Sequence, residues 1–256
     1  MSDLLDYSLM VAPNGARRTT RDHPRLPVTA MTLAETAGAC QAAGATSIHV
    51  HVRDGQERHS LDAGRYREAT AAIAETAPGL GIQITTESAG VFHAADQLAC
   101  LTDLQPKAAS IAIREMATDP TVATAVYAFA EEAEIEVQHI TYGPSCLQQM
   151  QAWREAGVIR PSQNRVLFVL GQYAPQKDAV PGDLESFVST LGQGDWKRSV
   201  CAFGGEEHSC LQAAVSLGFG ARIGFENSIC DRNGVQHRDN AASIGSFLRA
   251  SVSGTV

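Results

Sequence analysis

Short apolar segments alternate with helix-like segments from one end of the chain to the other. The apolar segments have strand length and carry few charges, which is typical of parallel strands covered by helices. Eight strands are predicted, at residues 8–12, 47–52, 81–86, 108–113, 135–140, 166–170, 199–203 and 221–226.

The intervening segments carry the start and stop signals of helices. The first helix is predicted to open with a capping box formed by Thr32 and Glu35 and to end at Gly44. The other helices are predicted at residues 62–77, 94–102, 121–132, 145–156, 184–190, 208–217 and 241–250.

Eight strand–helix units in 256 residues predict a (β/α)8 barrel, with residues 1–256 forming one domain. The apolar fraction of 44% is enough to fill the core of such a domain and excludes a disordered chain. No GxGxxG sequence follows the first strand, which argues against an open dinucleotide-binding sheet.

Charge and hydropathy restrict the partners of this chain. A net charge of -8 argues against binding to nucleic acid or to an anionic membrane. No segment approaches the roughly 18 consecutive apolar residues of a membrane span, and residues 1–6 lack a signal-peptide core. We therefore expect a soluble, cytoplasmic protein.

The six cysteines form no CxxC pair and no other metal-binding spacing. In a chain of this length they are expected to be small buried apolar residues in a reducing compartment. They are Cys40, Cys100, Cys146, Cys201, Cys210 and Cys230.

Two predicted strand-to-helix loops are unusually long, at residues 13–28 and 171–182. Loops of this kind build the functional site of a barrel. The first loop carries four arginines, which either contact an anion such as a phosphate tail or form a solvated surface. They are Arg17, Arg18, Arg21 and Arg25.

The HxH sequence at His49 and His51 is the sharpest local signal. Residues two apart in a strand face the same way, so these imidazoles project together, about 7 Å apart along the strand. Two neutral imidazoles suit Zn²⁺ or a similar divalent metal. The alternative interpretation is a structural pair, one histidine in the core and the other bonded to a loop.

A third candidate ligand, Glu226, closes the last predicted strand, on the face it shares with Arg222 and Gly224. In a closed barrel the eighth strand neighbours the first, and the first neighbours the second. Glu226 could therefore reach a metal held by His49 and His51, leaving the open position of a catalytic site. Its alternative role is that of an acidic residue before a helix.

Further polar residues gather where the predicted strands end, and inside a barrel mouth they would need partners. A bound oxyanion, a carbonyl group or ordered water could satisfy them. Because Gln138 and His139 are adjacent, only one of them can face inward. The group consists of Thr85, Thr86, Glu87, Ser88, Ser110, Gln138 and His139.

Several motifs together resemble the β-keto acid cleavage enzyme family, whose first characterised activity is 3-keto-5-aminohexanoate cleavage. The likeness runs from about residue 8 to about residue 247, and HxHxRD followed by RxGxE is its most specific part. The matching stretches are VAPNGA (11–16), HPRLPVT (23–29), AGATSIHVHVRD (43–54), IQITT (82–86) and RIGFEN (222–227).

The resemblance implies a (β/α)8 barrel that forms a homo-oligomer, a dimer or a tetramer. It also implies a zinc ion on His49, His51 and Glu226. The implied reaction converts a β-keto acid and acetyl-CoA, as co-substrate, into acetoacetate and a new CoA thioester.

The resemblance further implies that hydroxyl groups stabilise the oxyanions of the reaction by donating hydrogen bonds, while zinc polarises the keto oxygen. Arg222 would orient the polar group that follows Glu226. The implied substrate-binding residues are Thr85, Thr86, Ser88, Ser110, Gln138 and Asn14.

The chain departs from the family pattern at several positions. Asn227 stands where the family has a proton-transferring Asp, and an amide cannot accept a proton near neutral pH. Gln138 replaces an acidic residue that holds an ammonium group in members acting on amino-bearing keto acids. Ala112 replaces an Asn, and Glu87 with Ser88 replaces Gly-Gly. We therefore expect a neutral or anionic keto acid, with Glu87 as the replacement base.

Two other functions remain open at this point. The chain could be a metal-dependent hydrolase or lyase that acts on a small carbonyl compound without CoA. It could also be a non-catalytic binder of small molecules, which the substitutions Asn227 and Gln138 suggest.

Overall fold

The computed structural model describes residues 5–172 and 177–253 of the chain. The strands are β1 (Leu9–Val11), β2 (Ser47–Val50), β3 (Val52–Arg53), β4 (His59–Ser60), β5 (Gly81–Thr85), β6 (Ala108–Ala112), β7 (Glu136–Thr141), β8 (Arg165–Leu170), β9 (Lys197–Ala202) and β10 (Gly220–Ile223). The helices are α1 (Ala30–Ala42), α2 (Ala63–Thr76), α3 (Ala94–Leu104), α4 (Ile113–Met116), α5 (Pro120–Glu132), α6 (Pro144–Glu155), α7 (Leu184–Leu191), α8 (Glu207–Ser216) and α9 (Asn240–Ser253).

Eight of these strands close into a parallel barrel in the order β1-β10-β9-β8-β7-β6-β5-β2. β1 completes the ring, because Met10 pairs with Arg222 of β10 and Val11 pairs with Ile48 of β2. The predicted (β/α)8 barrel is therefore confirmed.

The alternation of side chains along each strand separates two apolar layers. In β8, Val166 and Phe168 pack in the large cluster between strands and helices. Leu167 and Val169 belong instead to a smaller cluster with residues of β6, β7 and β9, on the opposite face. The barrel interior is thus apolar at this level.

The first helix starts earlier than predicted, so the expected capping box of Thr32 and Glu35 is wrong. Thr29 is the N-cap: its Oγ1 accepts from the Thr32 amide at 3.2 Å, and Thr32 Oγ1 accepts from the Thr29 amide at 3.0 Å. Thr32 is therefore the N3 residue of the capping box, inside the helix, and not its N-cap residue. The predicted stop is confirmed, because Gly44 follows the helix with φ +113°.

Six of the predicted strands end early, four of them by a single residue. The segment at 47–52 divides after Val50, and Val52 pairs antiparallel with Ser60 in a hairpin. The segment at 108–113 ends at Ala112, where α4 begins, and the segment at 221–226 ends at Ile223. In the last case the chain turns at Gly224, which has φ +139°.

The two long loops follow β1 and β8 as predicted. Arg53 holds the first loop by donating to the carbonyl groups of Gly15 and Arg18, the latter at 3.0 Å. In the second loop, residues 173–176 lie outside the described residues, and Gln172 bridges to Lys177.

Within the described ranges, none of the helices combines the length and apolar character of a membrane span. All six cysteines are free, and five of them are buried, whereas Cys230 is partly exposed.

Candidate metal centre

His49 and His51 lie together where β2 ends. Both side chains are buried, their ring centroids are 5.0 Å apart, and their Nε2 atoms are 3.2 Å apart. Because the regular strand stops at Val50, His51 is free to tilt toward His49, and the rings come closer than the strand repeat of about 7 Å.

Gln83 determines which nitrogen of His49 faces His51. It lies opposite His49 in the register of β2 and β5, and its Oε1 accepts from His49 Nδ1 at 2.7 Å. With its proton on Nδ1, the neutral imidazole keeps a lone pair on Nε2. Gln83 Nε2 donates in turn to Tyr7 Oη and to Gln138 Oε1, both at 3.2 Å. The amide that orients His49 is therefore itself held in place.

Glu226 reaches the two histidines from the turn after β10. Its Oε2 lies 3.8 Å from His49 Nε2, and its Oε1 lies 3.6 Å from His51 Nε2. The turn depends on Gly224, because a Cβ there would lie 2.5 Å from the carbonyl oxygen of Ala12. The glycine thus provides a close approach of two backbones, from which Glu226 projects.

The first long loop holds this turn against the histidines. The guanidinium group of Arg18 donates to the carbonyl oxygen of Phe225 and, at 3.4 Å, to that of Asn227. Gly15 lies directly against the carboxylate side chain, since a Cβ there would be 2.6 Å from Glu226 Cγ. Arg18 therefore positions the turn.

Together, His49, His51 and Glu226 offer ligand atoms that all lie within 4.8 Å of one another. Two imidazole nitrogens and one carboxylate are the donors of a catalytic divalent-metal site that keeps an open position. Sequence reasoning placed these three side chains together, and the structure does so as well. That they bind a metal remains a prediction.

The charges at the centre favour a neutral imidazole and an ionised carboxylate. Burial and the nearby Arg222 guanidinium hold the pKa of His49 well below its usual range. Burial alone would raise the pKa of Glu226, but Arg222, His51 and His49 outweigh it and hold that pKa well below the usual range. Arg222 Nη2 lies 3.4 Å from Glu226 Oε1 and donates at 3.5 Å to Cys201 Sγ.

The predicted hydroxyl residues separate into two groups. Thr85 lies beside the centre, where its Oγ1 accepts from Ser110 Oγ at 3.4 Å and from the Glu87 amide at 3.0 Å. Thr86 Oγ1 donates to the Ser110 carbonyl at 3.0 Å, and Ser88 binds Glu115 through its amide and its hydroxyl. Thr85 and Ser110 are therefore brought to the centre, whereas the other two hydroxyls serve neighbouring backbone and side-chain groups.

The predicted amide residues are all buried and bonded to the protein. Asn14 Nδ2 donates to the carbonyl groups of Pro27 and His51, each at 2.9 Å. Asn227 Nδ2 donates to the Arg222 carbonyl at 3.3 Å. These amides secure the backbone that carries the metal-binding and cationic side chains.

Of the adjacent pair in β7, Gln138 faces inward and His139 faces the helices. His139 Nε2 bonds to the Gln163 carbonyl at 2.9 Å, and its ring packs against Tyr127 and Trp196. Gln138 supports Gln83, as described above.

A pocket opens at the barrel mouth above the centre. Its charged lining residues in the described part of the chain are Arg17, Glu87, Arg114, Arg222 and Glu226, and its apolar wall contains Ile140, Val169 and Phe203. Glu87 Oε2 lies 3.9 Å from His51 Nδ1, and its side chain is 17% exposed. Of the four arginines in the first loop, Arg17 lines this pocket, while Arg21 and Arg25 are exposed outside it.

Sequence reasoning missed Gln83, Glu207 and Arg114. Gln83 could have been found, because it shares the inward face of its strand with Thr85. Glu207 is a buried carboxyl that accepts from the Gly224 amide at 3.0 Å, and burial raises its pKa well above the usual range. Arg114 could also have been found, because it directly follows the predicted strand at 108–113, whereas no local pattern marks Glu207.

Replacing Gln83 by Met is expected to lower the metal affinity of the protein about 10- to 100-fold, a typical effect for a residue that orients a ligand. The variant removes the acceptor for His49 Nδ1, so the imidazole loses its preferred tautomer and orientation. Titration with Zn²⁺ against a competing chelator measures the change.

Gln97→Met is the matched control, because Gln97 is a buried amide that donates to Glu115 at 3.1 Å and, within the described part of the chain, forms no hydrogen bond with His49 or His51. Equal affinities of the Gln83 variant and the wild type would contradict the orienting role. An equal loss of metal affinity in both variants would mean that the effect comes from general destabilisation of the fold.

The comparisons with known proteins point to one family. The sequence matches the model of the beta-keto acid cleavage enzyme family over residues 7–251. A 3-oxoadipate:acetyl-CoA acetyltransferase of Cupriavidus necator is 28% identical over 238 residues, covering 86% of this chain and 80% of that protein. A 3-keto-5-aminohexanoate cleavage enzyme of Fusobacterium nucleatum is 25% identical over 248 residues, covering 92% of this chain and 87% of that protein.

Solved structures share the fold at low sequence identity. ObcA in complex with oxaloacetate superposes with a TM-score of 0.69 at 16% identity; the match covers 90% of this chain but only 64% of that one. The 3-dehydroquinate dehydratase of Geobacillus kaustophilus gives a TM-score of 0.59 at 13% identity, and the match covers 96% of this chain and 92% of that one. These likenesses bear on the barrel alone, whereas the family match spans nearly the whole sequence. The chain belongs to the β-keto acid cleavage enzyme family.

Proposed function

We propose that this protein is a metal-dependent enzyme that exchanges acyl groups between a β-keto acid and acetyl-CoA. In the exchange, the bond between the keto carbon and the α carbon of the β-keto acid breaks. The α carbon bonds to the acetyl carbonyl, giving acetoacetate, and the CoA sulfur passes to the released acyl group. The names of the two curated relatives support this class of reaction.

The observation that carries the metal dependence is the approach of two imidazole nitrogens to 3.2 Å beside a carboxylate. His49 Nδ1 is bonded to Gln83, so its Nε2 presents a lone pair to His51. Two imidazole nitrogens at this separation, with a carboxylate beside them, can bind one cation, and these donors fit zinc or another divalent metal. A metal bound there would supply Lewis-acid polarisation of the substrate carbonyl.

The residues around the centre can then be assigned roles. His49, His51 and Glu226 hold the metal, and Arg222 keeps Glu226 ionised and oriented. The Thr85 and Ser110 hydroxyls donate to oxyanions that develop at the reacting carbonyl groups. The contacts of Thr86, Ser88, Asn14 and Gln138 favour supporting roles over direct substrate contacts.

Proton transfer requires a group other than Asn227, whose amide is buried and bonded to the Arg222 carbonyl. We assign this role to Glu87, a carboxylate that lines the pocket and is partly exposed to solvent. Its position 3.9 Å from His51 Nδ1 places it at the edge of the centre.

Incubation of the zinc-loaded protein with acetyl-CoA and a panel of β-keto acids is expected to yield acetoacetate and new CoA thioesters, measured by mass spectrometry. Removal of the metal by a chelator should lower the rate at least about 10³-fold, since a Lewis acid contributes several kcal/mol. Addition of Zn²⁺ should restore it.

Product formation without acetyl-CoA would instead indicate a hydrolase or lyase. An absence of turnover in the zinc-loaded protein would contradict the exchange reaction. The variant Asn227→Asp then distinguishes a lost base, where activity appears, from a non-catalytic binder, where keto-acid binding persists without turnover.

A further inference from the structure

We propose that the pocket beside the metal centre selects β-keto acids that carry a second, distal carboxylate, and that Arg114 binds this group. This inference rests on the proposed function, because it specifies the substrate class of the same site.

Arg114 enters the pocket from α4, directly after β6. Its guanidinium carbon lies 3.4 Å from the centre of the Tyr142 ring. Tyr142 is the residue that directly follows β7. Stacking on an aromatic face keeps the planar guanidinium group in one orientation while leaving its N–H donors at the edge. Arg114 is therefore held in place by a contact that uses none of its hydrogen-bond donors.

The donors of Arg114 are available to a ligand. Considering residues 5–172 and 177–253, Arg114 forms neither a hydrogen bond nor an ion pair. The adjacent carboxylate of Glu115 attracts the guanidinium group electrostatically, but its described hydrogen bonds are accepted from Ser88 and from Gln97, at 3.0 to 3.1 Å. Arg114 is exposed at the mouth of the pocket, so these donors face solvent and are free to bind an anionic group of a substrate that enters it.

The balance of charge in the pocket points in the same direction. Three guanidinium groups, of Arg17, Arg114 and Arg222, share the described lining with only two carboxylates, of Glu87 and Glu226. Arg222 is already paired with Glu226. A substrate ammonium group would meet repulsion from Arg114, whereas a carboxylate would accept two parallel hydrogen bonds from it.

An apolar wall completes the pocket. Ile140, Val169 and Phe203 line the same pocket as His49 and Arg114. Methylene groups between the keto carbon and a distal carboxylate would contact this wall, which favours a dicarboxylic keto acid over a short polar one. The phosphate groups of CoA are the other anions that could reach Arg114, and the experiment separates the two.

The test compares 3-oxoadipate with 3-oxohexanoate, which has the same chain length and lacks the distal carboxylate. For the zinc-loaded wild type, kcat/KM is expected to be about 100-fold higher with 3-oxoadipate, as charged hydrogen bonds typically contribute. In Arg114→Gln the two substrates should have nearly equal kcat/KM values, because the KM for 3-oxoadipate rises. Arg114→Lys should restore part of the preference, since it keeps the charge without the planar pair of donors.

Arg17→Gln is the matched control, because it removes one positive charge from the same pocket. If Arg114 contacts the distal carboxylate directly, Arg17→Gln should change the substrate preference far less than Arg114→Gln does. Equal preference for both substrates in the wild type would overturn the proposal. So would a higher KM for acetyl-CoA in Arg114→Gln without loss of the substrate preference, which would assign Arg114 to the CoA phosphates.

A failure of the exchange reaction itself would appear differently, as an absence of turnover with either keto acid. Binding then still tests the inference through the thermal shift of the zinc-loaded protein. The shift should be larger with 3-oxoadipate than with 3-oxohexanoate in the wild type, and the difference should vanish in Arg114→Gln. Equal shifts in the wild type would overturn the substrate assignment.

Discussion

Replacing His49 or His51 by Ala is expected to remove the metal from the protein and to lower kcat/KM at least about 10³-fold. Each variant deletes one of three donors whose ligand atoms lie within 4.8 Å of one another. The remaining imidazole and Glu226 are too few to retain a divalent ion through purification. Elemental analysis of the purified variants measures the occupancy, and the acyl-exchange assay measures the rate.

His139→Ala is the matched control for these variants. His139 is also a buried strand histidine, but it faces the helices and bonds to the Gln163 carbonyl. Its removal leaves a comparable cavity, at a cost of about 2–4 kcal/mol in the free energy of unfolding, while metal content should stay at the wild-type level. Full zinc content in either His49→Ala or His51→Ala would show that the residue is not a ligand.

Replacing Arg222 by Gln is expected to destabilise the metal-free protein by about 3–5 kcal/mol, the usual cost of leaving a buried charge without its partner. Arg222 and Glu226 are both buried, and the guanidinium group lies 3.4 Å from the carboxylate. Urea denaturation of chelator-treated protein measures the free energy of unfolding.

The pH dependence of this effect has a definite sign. In the wild type, the pKa of Glu226 is lower in the folded state than in the unfolded state. The carboxylate therefore stabilises the fold above the unfolded pKa of about 4.3, and this contribution is lost as the pH falls below that value. Without Arg222, burial acts to raise the pKa of Glu226 in the folded state, and the carboxylate destabilises the fold as the pH rises through that pKa.

Arg222→Gln should accordingly be less destabilising at pH 5 than at pH 8. The conservative variant Arg222→Lys retains the cation and should recover much of the lost stability at pH 8. Destabilisation by Arg222→Gln that is independent of pH and not relieved in Arg222→Lys would mean that the loss comes from packing of the side chain.

The barrel could be predicted from the sequence because its signals are local. Each strand is a short apolar segment, as at 166–170, and each helix has its own stop, as at Gly44. The inward pairing of His49 with His51 follows from the two-residue repeat of a strand. Barrel closure then brings Glu226 toward them, because β1 joins β10 to β2.

The details of the centre could not be predicted in this way. The end of β2 at Val50 and the turn at Gly224 depend on the packing of other segments against these residues. The partners of Ser88 and Gln138 lie 27 and 55 residues away in the sequence. A strand pattern identifies the face on which such a side chain lies, but it contains no information about the group opposite.

The sequence by itself determined the eight-stranded barrel and the three donors at its carboxyl end, because apolar periodicity and motif spacing act over a few residues. Only the tertiary structure decided that Gln83 sets the tautomer of His49, that Arg18 and Gly15 position Glu226, and that Arg114 lines the pocket beside the centre. Those arrangements arise from contacts between distant segments, whose free energy depends on the closed barrel and not on any local pattern.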